Sequence, residues 1–186
     1  MPAVTTRPGA KMPGMTWHLE TARLALRPLV ADDIDPLHRV LSDVRSMRFY
    51  PRPFDRDDTR GWVDRIRERY AADGFGLLAV VEKPTGDVIG DCGPMIMDVD
   101  GSRFVELAWH IRPDRQRQGF ASEAGAVCRD HAWEAVPTDR LISLIRPENV
   151  PSWSVARKLG FAPWRSTVRS GMGHIVWILE HPASAS

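Results

Sequence analysis

The sequence predicts a mixed α/β (α+β) fold, in which a single sheet of about seven strands is flanked by about four helices. Three observations predict this class. Short apolar runs end at clusters of Gly, Pro, Asn and Asp, as strands do. Longer segments repeat their apolar residues at helical spacing. No repeat and no linker rich in Pro, Gly and Ser divides the chain, whose 186 residues, 43% apolar and 26% charged, suffice for one core.

The first half of the chain predicts a strand, two helices and a β-hairpin. The alternation of Leu24 and Leu26 is typical of a strand. Asp32 or Asp33 is the expected N-cap of the first helix, and Gly74 is expected to end the second. The predicted elements are a strand over 23–28, helices over 34–41 and 57–72, and hairpin strands over 75–81 and 88–97.

The second half predicts a strand, a long helix, a further strand and helix, and a closing hairpin. Pro113 ends the strand, Pro151 lies in the first turn of the short helix, and Gly160 follows the end of that helix. Residues 170–173 form the turn of the closing hairpin. The predicted elements are strands over 103–112 and 141–145, helices over 119–135 and 151–159, and hairpin strands over 161–168 and 175–179.

The composition excludes several classes of protein. Lys and Arg number 25 and Asp and Glu number 24, and the net charge of +1 argues against binding to nucleic acid by charge alone. Arginines at positions 60, 65, 67 and 69 interleave with Asp64 and Glu68, as expected of a solvated helix face. No apolar stretch approaches the roughly 20 residues of a membrane helix.

Cysteine and histidine usage predicts neither a disulfide framework nor a metal site. Cys92 and Cys128 lie far apart without a Cys-x-x-Cys motif, so reduced thiols are the expected state. We expect both thiols to be buried and inert. The six histidines show no spacing typical of metal ligands.

Both ends of the chain are predicted to lie outside the domain. Residues 1–15 contain three prolines and two glycines and no apolar core, so we expect a disordered leader, with Met15 as an alternative start. Residues 182–186 are expected to form a loose tail, which leaves 16–181 for the domain. Since no export signal is recognisable, the cytoplasm is the expected location.

The segment from Glu106 to Ala121 carries the clearest chemical signal. It leads from a strand through a polar loop into a helix whose first turn contains Gly119. A helix start offers unpaired N–H groups and the positive end of the helix dipole, which favour an anion. Arg115 and Arg117 add positive charge beside it. An ordinary solvated loop is the alternative, and neither a Walker loop nor a dinucleotide-binding glycine motif is present.

Three segments together resemble the GNAT acetyltransferase superfamily. Gln116-x-x-Gly119-x-Ala121, following a strand, resembles its pyrophosphate loop. Asn149-x-x-Ser152, followed by a helix and Leu-Gly-Phe at 159–161, resembles its second signature. Residues 19–29 resemble the opening strand of its ribosomal-protein N-acetyltransferase branch, the RimJ/RimL type. The matches occur in the order of the family and span about 160 residues, which is the size of one domain.

The resemblance implies the GNAT acyl-CoA N-acyltransferase fold, a mixed and mostly antiparallel sheet whose fourth and fifth strands are splayed by a β-bulge. Acetyl-CoA is the implied co-substrate and would lie between these strands, of which the fourth corresponds to 106–112. The backbone of His110, Ile111 and Arg112 would bind the pantetheine arm. The pyrophosphate would be held by Arg115, Gln116, Arg117, Gln118, Gly119, Phe120 and Ala121.

The reaction implied by the family requires a base. An α-amine, with a pKa of about 7.7–8.0, and a lysine, with a pKa of about 10.4, are mostly protonated at neutral pH, and only the free amine attacks a thioester. Glu106 lies on the strand that lines the cleft and matches a glutamate of this branch; a surface glutamate is the alternative. His110 and His174 are rival bases because imidazole titrates in the useful range.

The departing thiolate benefits from a proton donor. Many family members carry a tyrosine just before the Leu-Gly-Phe, and Ala156 stands at that position here. Ser152 is the available hydroxyl and matches a serine proposed as the acid in the ribosomal-protein branch; a helix cap is the alternative. Asn149 matches the asparagine that contacts pantetheine, and it too could be a helix cap.

The sequence therefore predicts transfer of an acetyl group from acetyl-CoA to a primary amine, either a protein N-terminus or a small molecule, by direct attack. A catalytically weak acyl-CoA-binding or regulatory module is the alternative, motivated by Ala156. Neither a membrane nor a nucleic acid is an expected partner, and a homodimer, a form that occurs in the family, is left open. The acceptor side is expected to be lined by Phe49, Tyr50, Phe54, His174 and Trp177.

Overall fold

The apolar strands and amphipathic helices assemble around one sheet, with one short strand more than expected. A computed structural model describes residues 17–184. The strands are β1 (Leu19–Glu20), β2 (Leu24–Pro28), β3 (Leu78–Glu82), β4 (Val88–Val99), β5 (Ser102–Ile111), β6 (Arg140–Ile145), β7 (Ala162–Arg169) and β8 (Met172–Glu180). The α-helices are α1 (Ile34–Leu41), α2 (Arg56–Asp73), α3 (Phe120–Ala135) and α4 (Val150–Lys158).

The sheet is mixed and mostly antiparallel, as predicted. Its strands follow the order β1-β2-β3-β4-β5-β6-β8-β7. The pair β5–β6 is parallel, and the other neighbouring pairs are antiparallel. The crossover between β5 and β6 contains α3, as a parallel connection requires.

The helices cover both faces of the sheet. Residues of α3 and α4, among them Phe120, Cys128 and Ala156, share one core with Leu107 of β5. Residues of α1 and α2 pack in a second core against the opposite face, which includes Ala108. Because successive side chains of a strand alternate between faces, Glu106 and His110 lie on the α1–α2 face.

A gap opens between β5 and β6. These strands pair only at Val105 with Leu141 and at Glu106 with Ile142 and then diverge. The bulge predicted at this point is absent, because β5 keeps one register with β4 along ten residue pairs. The gap therefore results from the divergence of β6, and β5 remains regular.

Local signals at the helix ends are confirmed in part. Gly74 ends α2 in the left-handed conformation, with φ of 81°. Asp33 occupies the N-cap position of α1, but its carboxylate makes no capping hydrogen bond to that helix. It accepts from the Val30 N–H at 2.8 Å and binds Arg27 at 2.7 and 2.8 Å, so this nearly buried carboxylate links the chain after β2 to the start of α1.

The remaining structural predictions concern the thiols and the ends of the chain. Cys92 and Cys128 are free and buried. Within 17–184, no helix has the length and apolar character needed to cross a membrane. Residues 182–184 of the expected tail form a single 3-10 turn, whereas the expected leader and residues 185–186 lie outside the described residues.

Candidate active site

A cavity of about 610 Å³ lies at the gap, on the face covered by α1 and α2. Both lips of the gap contribute to it, β5 through Glu106 and His110 and β6 through Ser143 and Leu144. The other walls come from the loop before α2, from α2 itself, from β4 and from the β7–β8 hairpin. This arrangement brings together residues that are far apart in the sequence.

Glu106 lies at the apex of the gap and is only 7% exposed, so it is not a surface glutamate. Its Oε1 accepts a hydrogen bond of 3.1 Å from the Leu144 N–H, at a position where β6 has diverged from β5 and pairs only with β8. Burial raises the pKa of Glu106, while this hydrogen bond and the charges of Arg169, His110 and Arg69 act in the opposite direction. A buried carboxylate with a raised pKa is suited to accept a proton near neutral pH.

His110 is held between two partners. Its Nδ1 lies 2.6 Å from Oδ1 of Asp91, and its Nε2 lies 2.5 Å from the Tyr50 hydroxyl. Burial acts to lower the pKa of His110, but Tyr50 and Asp91 outweigh it, and the pKa lies well above its ordinary value. A protonated imidazole donates through both nitrogens and has no free lone pair. The geometry therefore argues against His110 as the base.

His174 lies in the wall formed by the β7–β8 hairpin. Its Nδ1 donates to the Met172 carbonyl at 2.9 Å, which leaves Nε2 with a lone pair. Burial lowers the pKa of His174, and the charges of Arg146 and Arg169 lower it further. The neutral form of His174 is thus favoured, and His174 is a chemically competent rival to Glu106.

Ser152 and Asn149 have different partners at the start of α4. The Asn149 side chain accepts from the Ser152 N–H at 3.2 Å and caps the helix, which is the structural alternative considered for this residue. The Ser152 hydroxyl makes no cap and accepts instead from the indole N–H of Trp109 at 3.2 Å. Both side chains line the cavity.

The backbone of β5 presents alternate residues to the gap. The Arg112 N–H donates to the Ile89 carbonyl at 2.7 Å, toward β4. Because hydrogen-bonded and non-hydrogen-bonded pairs alternate, the backbone of His110 also points toward β4, whereas that of Trp109 and Ile111 points toward the gap. The Ile111 carbonyl accepts from the Gln116 side chain at 2.8 Å. Of the three backbone positions predicted to bind pantetheine, Ile111 thus faces the gap.

The loop before α3 has the geometry of an anion site. Gly119 is the N-cap with φ of 86°, and α3 begins without a side-chain cap, which leaves its first N–H groups free for a ligand. Arg117 is exposed and also has a positive φ, of 63°. Arg115 is bound to Glu82 and Asp114, both at 3.0 Å, so its charge is partly balanced. Gln118 donates to the Asp114 carbonyl.

Two residues next to the site were not predictable from local patterns. Arg23 lies against this loop, donating to the Gln118 carbonyl at 3.0 Å and stacking over the ring of Phe120. Asp91 is completely buried behind His110. No local sequence pattern marks these residues, because their partners lie 19 to 100 positions away.

Two predictions about the cavity wall are wrong. Phe54 and Trp177 do not line it: Phe54 packs on Trp62, and Trp177 is buried and stacks on Trp153. Phe49, Tyr50 and His174 do line it. Of the arginines expected on a solvated face of α2, Arg65 is exposed and Arg69 is half-buried, and both also line the cavity.

The sheet order and the glycine-led start of α3 define a mixed α/β class of fold. Residues 23–162 match the family model described as acetyltransferase (GNAT) domain. The chain therefore belongs to the GNAT acetyltransferase family, in its RimJ/RimL-like branch. An uncharacterized N-acetyltransferase of Bacillus subtilis, YnaD, is 26% identical over 144 residues, which are 77% of this chain and 81% of that protein.

Solved structures share the fold. An acetyltransferase from Agrobacterium tumefaciens has a TM-score of 0.77 and 27% identity, covering 90% of this chain and 96% of that one. RimJ of Mycobacterium smegmatis, solved in complex with CoA-disulfide, has a TM-score of 0.66 and 19% identity, covering 88% of this chain and 84% of that one. The second similarity concerns the fold alone.

Proposed function

We propose that this protein transfers the acetyl group of acetyl-CoA to a primary amine by direct attack of the amine on the thioester. The observation that carries the proposal is the gap after the second β5–β6 pair, with the buried Glu106 at its apex. The gap has a co-substrate side at the start of α3 and an acceptor side in the cavity under α2. This is the arrangement that a reaction between two bound substrates requires.

Acetyl-CoA fits this chain at two places. The free N–H groups at the start of α3, from Gly119 to Ala121, match a pyrophosphate, and Arg117 adds an unbalanced charge beside them. The pantetheine arm would pair with the gap-facing backbone of Trp109 and Ile111, as an added strand does. The structure with CoA-disulfide of a protein of the same fold is consistent with this assignment.

Glu106 acts as the general base in this proposal. Its carboxylate takes a proton from the acceptor ammonium, directly or through water, and the free amine then attacks the thioester carbonyl. The N–C bond forms as the C–S bond breaks, and the nitrogen gives up a second proton as it becomes an amide. The Ser152 hydroxyl, which Trp109 orients, relays a proton to the CoA thiolate and regains one from the nitrogen, so Ser152 ends unchanged. The Leu144 N–H fixes the position of the carboxylate.

The test replaces Glu106 by its isostere. We expect Glu106→Gln to lower kcat by about 10²- to 10⁴-fold, the usual contribution of a general base, while acetyl-CoA still raises the melting temperature. Glutamine can still accept from the Leu144 N–H, so the gap should be preserved. CoA-thiol release with a panel of primary amines measures the rate, and Glu134→Gln, on the exposed side of α3, is the matched control.

The same experiment separates the alternative function. A catalytically weak acyl-CoA-binding module would bind acetyl-CoA without thiol release on any amine, and Glu106→Gln would change nothing. Ala156, which is fully buried in the α3–α4 core, motivates that alternative because no tyrosine stands there. Turnover that disappears in Glu106→Gln would exclude it.

A further inference from the structure

The acceptor side of the cavity carries an excess of positive charge. Four arginines line it, and we call them the arginine rim: Arg65, Arg69, Arg146 and Arg169. They face two lining carboxylates, Asp98 and Glu106. The chain as a whole has a net charge of only +1, so this concentration of charge is local.

The rim converges from three separate elements. Arg65 and Arg69 lie one turn apart on α2, Arg146 follows the last residue of β6, and Arg169 ends β7. Such convergence is a product of the fold, since arginines this far apart in sequence share no local pattern. Arg146 and Arg169 line the same cavity as His174, and their charges lower the pKa of that side chain.

Half of the rim lacks a counter-ion. Arg69 is 3.3 Å from Asp73 and Arg146 is 3.3 Å from Glu148, so these two are partly balanced. Arg65 stacks over Trp62 and Arg169 contacts the sulfur of Met97, and within residues 17–184 neither has a carboxylate oxygen within 4.0 Å. Guanidinium groups in this condition are suited to bind a carboxylate in a bidentate manner.

We propose that the acceptor is an amine that carries an anionic group beside it, and that Arg65 and Arg169 bind this group. The proposal rests on the proposed acetyltransferase function and adds its substrate class. A cationic surrounding also disfavours the ammonium form of an amine, so the rim promotes the free base that attacks the thioester. Acceptors with a second positive charge are selected against by the same field.

The experiment compares peptide amides that share one reacting amine. Ala-Glu-amide, Ala-Gln-amide and Ala-Lys-amide differ only in the second residue. We expect kcat/KM for Ala-Glu-amide to exceed that for Ala-Gln-amide by about tenfold or more, which is the usual worth of a charge-assisted hydrogen bond, and Ala-Lys-amide to be the poorest. Free glutamate and β-alanine form the second arm, which distinguishes a small anionic amine from an acidic peptide end.

The variants connect this preference to the rim. Arg65→Gln and Arg169→Gln should each lower kcat/KM for the preferred anionic acceptor by about tenfold more than for Ala-Gln-amide, with little change in the KM of acetyl-CoA. Arg67→Gln on α2 and Arg103→Gln on β5 are the matched controls, because both arginines are exposed and lie outside the cavity. Both controls should retain the wild-type preference.

The outcomes distinguish this inference from the function on which it rests. Turnover without preference for an anionic acceptor, or an equal loss on both peptides in the rim variants, overturns the inference and leaves the acetyltransferase intact. Absence of thiol release with every acceptor overturns the proposed function. Calorimetry can measure the affinity of the CoA-loaded protein for the two reaction products, N-acetyl-Ala-Glu-amide and N-acetyl-Ala-Gln-amide, without any turnover. Equal affinity for these two products also overturns the inference.

Discussion

Asp91 favours the charged form of His110 and, through it, holds Tyr50 in the cavity wall. Its carboxylate has no exposure, and it is held by the Trp62 indole N–H at 2.9 Å and by His110 at 2.6 Å. An unpaired buried carboxylate is costly, so Asp91 is tolerated because a protonated His110 pairs with it. His110 in turn holds Tyr50, which lines the cavity. Asp91 is therefore a positioning residue for the cavity wall.

Removal of Asp91 should show how much its pairing with His110 contributes to the free energy of unfolding. We expect Asp91→Asn to lower the free energy of unfolding by about 3–5 kcal/mol, because His110 is left buried without its counter-ion. Urea denaturation measures the change, and Asp130→Asn, on the exposed side of α3, should change stability by less than about 0.5 kcal/mol. A loss below about 1 kcal/mol in Asp91→Asn would show that the pair is not ionic.

The same pair predicts a pH dependence of stability. The pKa of His110 is raised by folding, so its contribution is fully present below the unfolded pKa of about 6.5 and is lost as pH rises through the folded value. Stability should therefore fall between about pH 6.5 and the alkaline range. His110→Gln should remove this slope in urea denaturation series, and a slope that persists in the variant would assign the dependence to another group.

The start of α3 shows what an element contributes beyond its single residues. The conformation of Gly119 turns the chain so that the first N–H groups of the helix stay free, and Arg23 closes the other side of the loop. A Cβ added at Gly119 would meet only the Arg23 guanidinium, at 3.4 Å, so backbone conformation and ligand access matter here more than packing. The proposed anion site depends on this local turn.

A pair of glycine variants separates these two effects. Gly119→Ala and Gly86→Ala both place alanine at positive φ, of 86° and 73°, and each should cost about 1 kcal/mol of stability. Only Gly119→Ala should weaken the thermal stabilisation by CoA, because Gly86 lies in the turn between β3 and β4. Equal responses of the two variants to CoA would place the pyrophosphate elsewhere.

Element boundaries were predictable where the determining signals are local. Helical periodicity and the stop at Gly74 place α2 within one residue of its observed bounds. The strand predicted over 75–81 begins only at Leu78. The residues before it are buried in a loop, where Tyr70 packs on Gly76 and its hydroxyl binds the Leu77 carbonyl. An apolar run alone does not distinguish a buried loop from a strand.

At the scale of the whole molecule, the site is a product of long-range pairing. The order of the elements and the loop before α3 follow from sequence, and the resemblance placed Glu106 at the gap. The network of Tyr50, His110 and Asp91 and the arginine rim do not follow, because no periodicity relates residues brought together from different strands and helices. Sequence patterns thus predict the proposed CoA side better than the proposed acceptor side.

The gap also divides the sheet into two parts. β1 to β5 form one part and β6, β8 and β7 the other, and they are paired at only two positions, to which Glu106 adds its bond to Leu144. Trp109 and Ile111 are paired with β4 on one side, but neither has a paired residue on β6 across the gap. A pantetheine arm lying in the gap would supply their missing acceptors.

Hydrogen exchange tests this consequence for the molecule as a whole. The amides of Trp109 and Ile111 should exchange rapidly in the free protein and be slowed by about 100-fold at a CoA concentration of about 100 times Kd, since exchange then requires ligand release. The Gly101 amide, in the β4–β5 turn away from the gap, should keep its rate. If CoA raises the melting temperature while the rates at Trp109 and Ile111 stay the same, the co-substrate binds outside the gap, and the assignment of β5 as the pantetheine-binding strand fails.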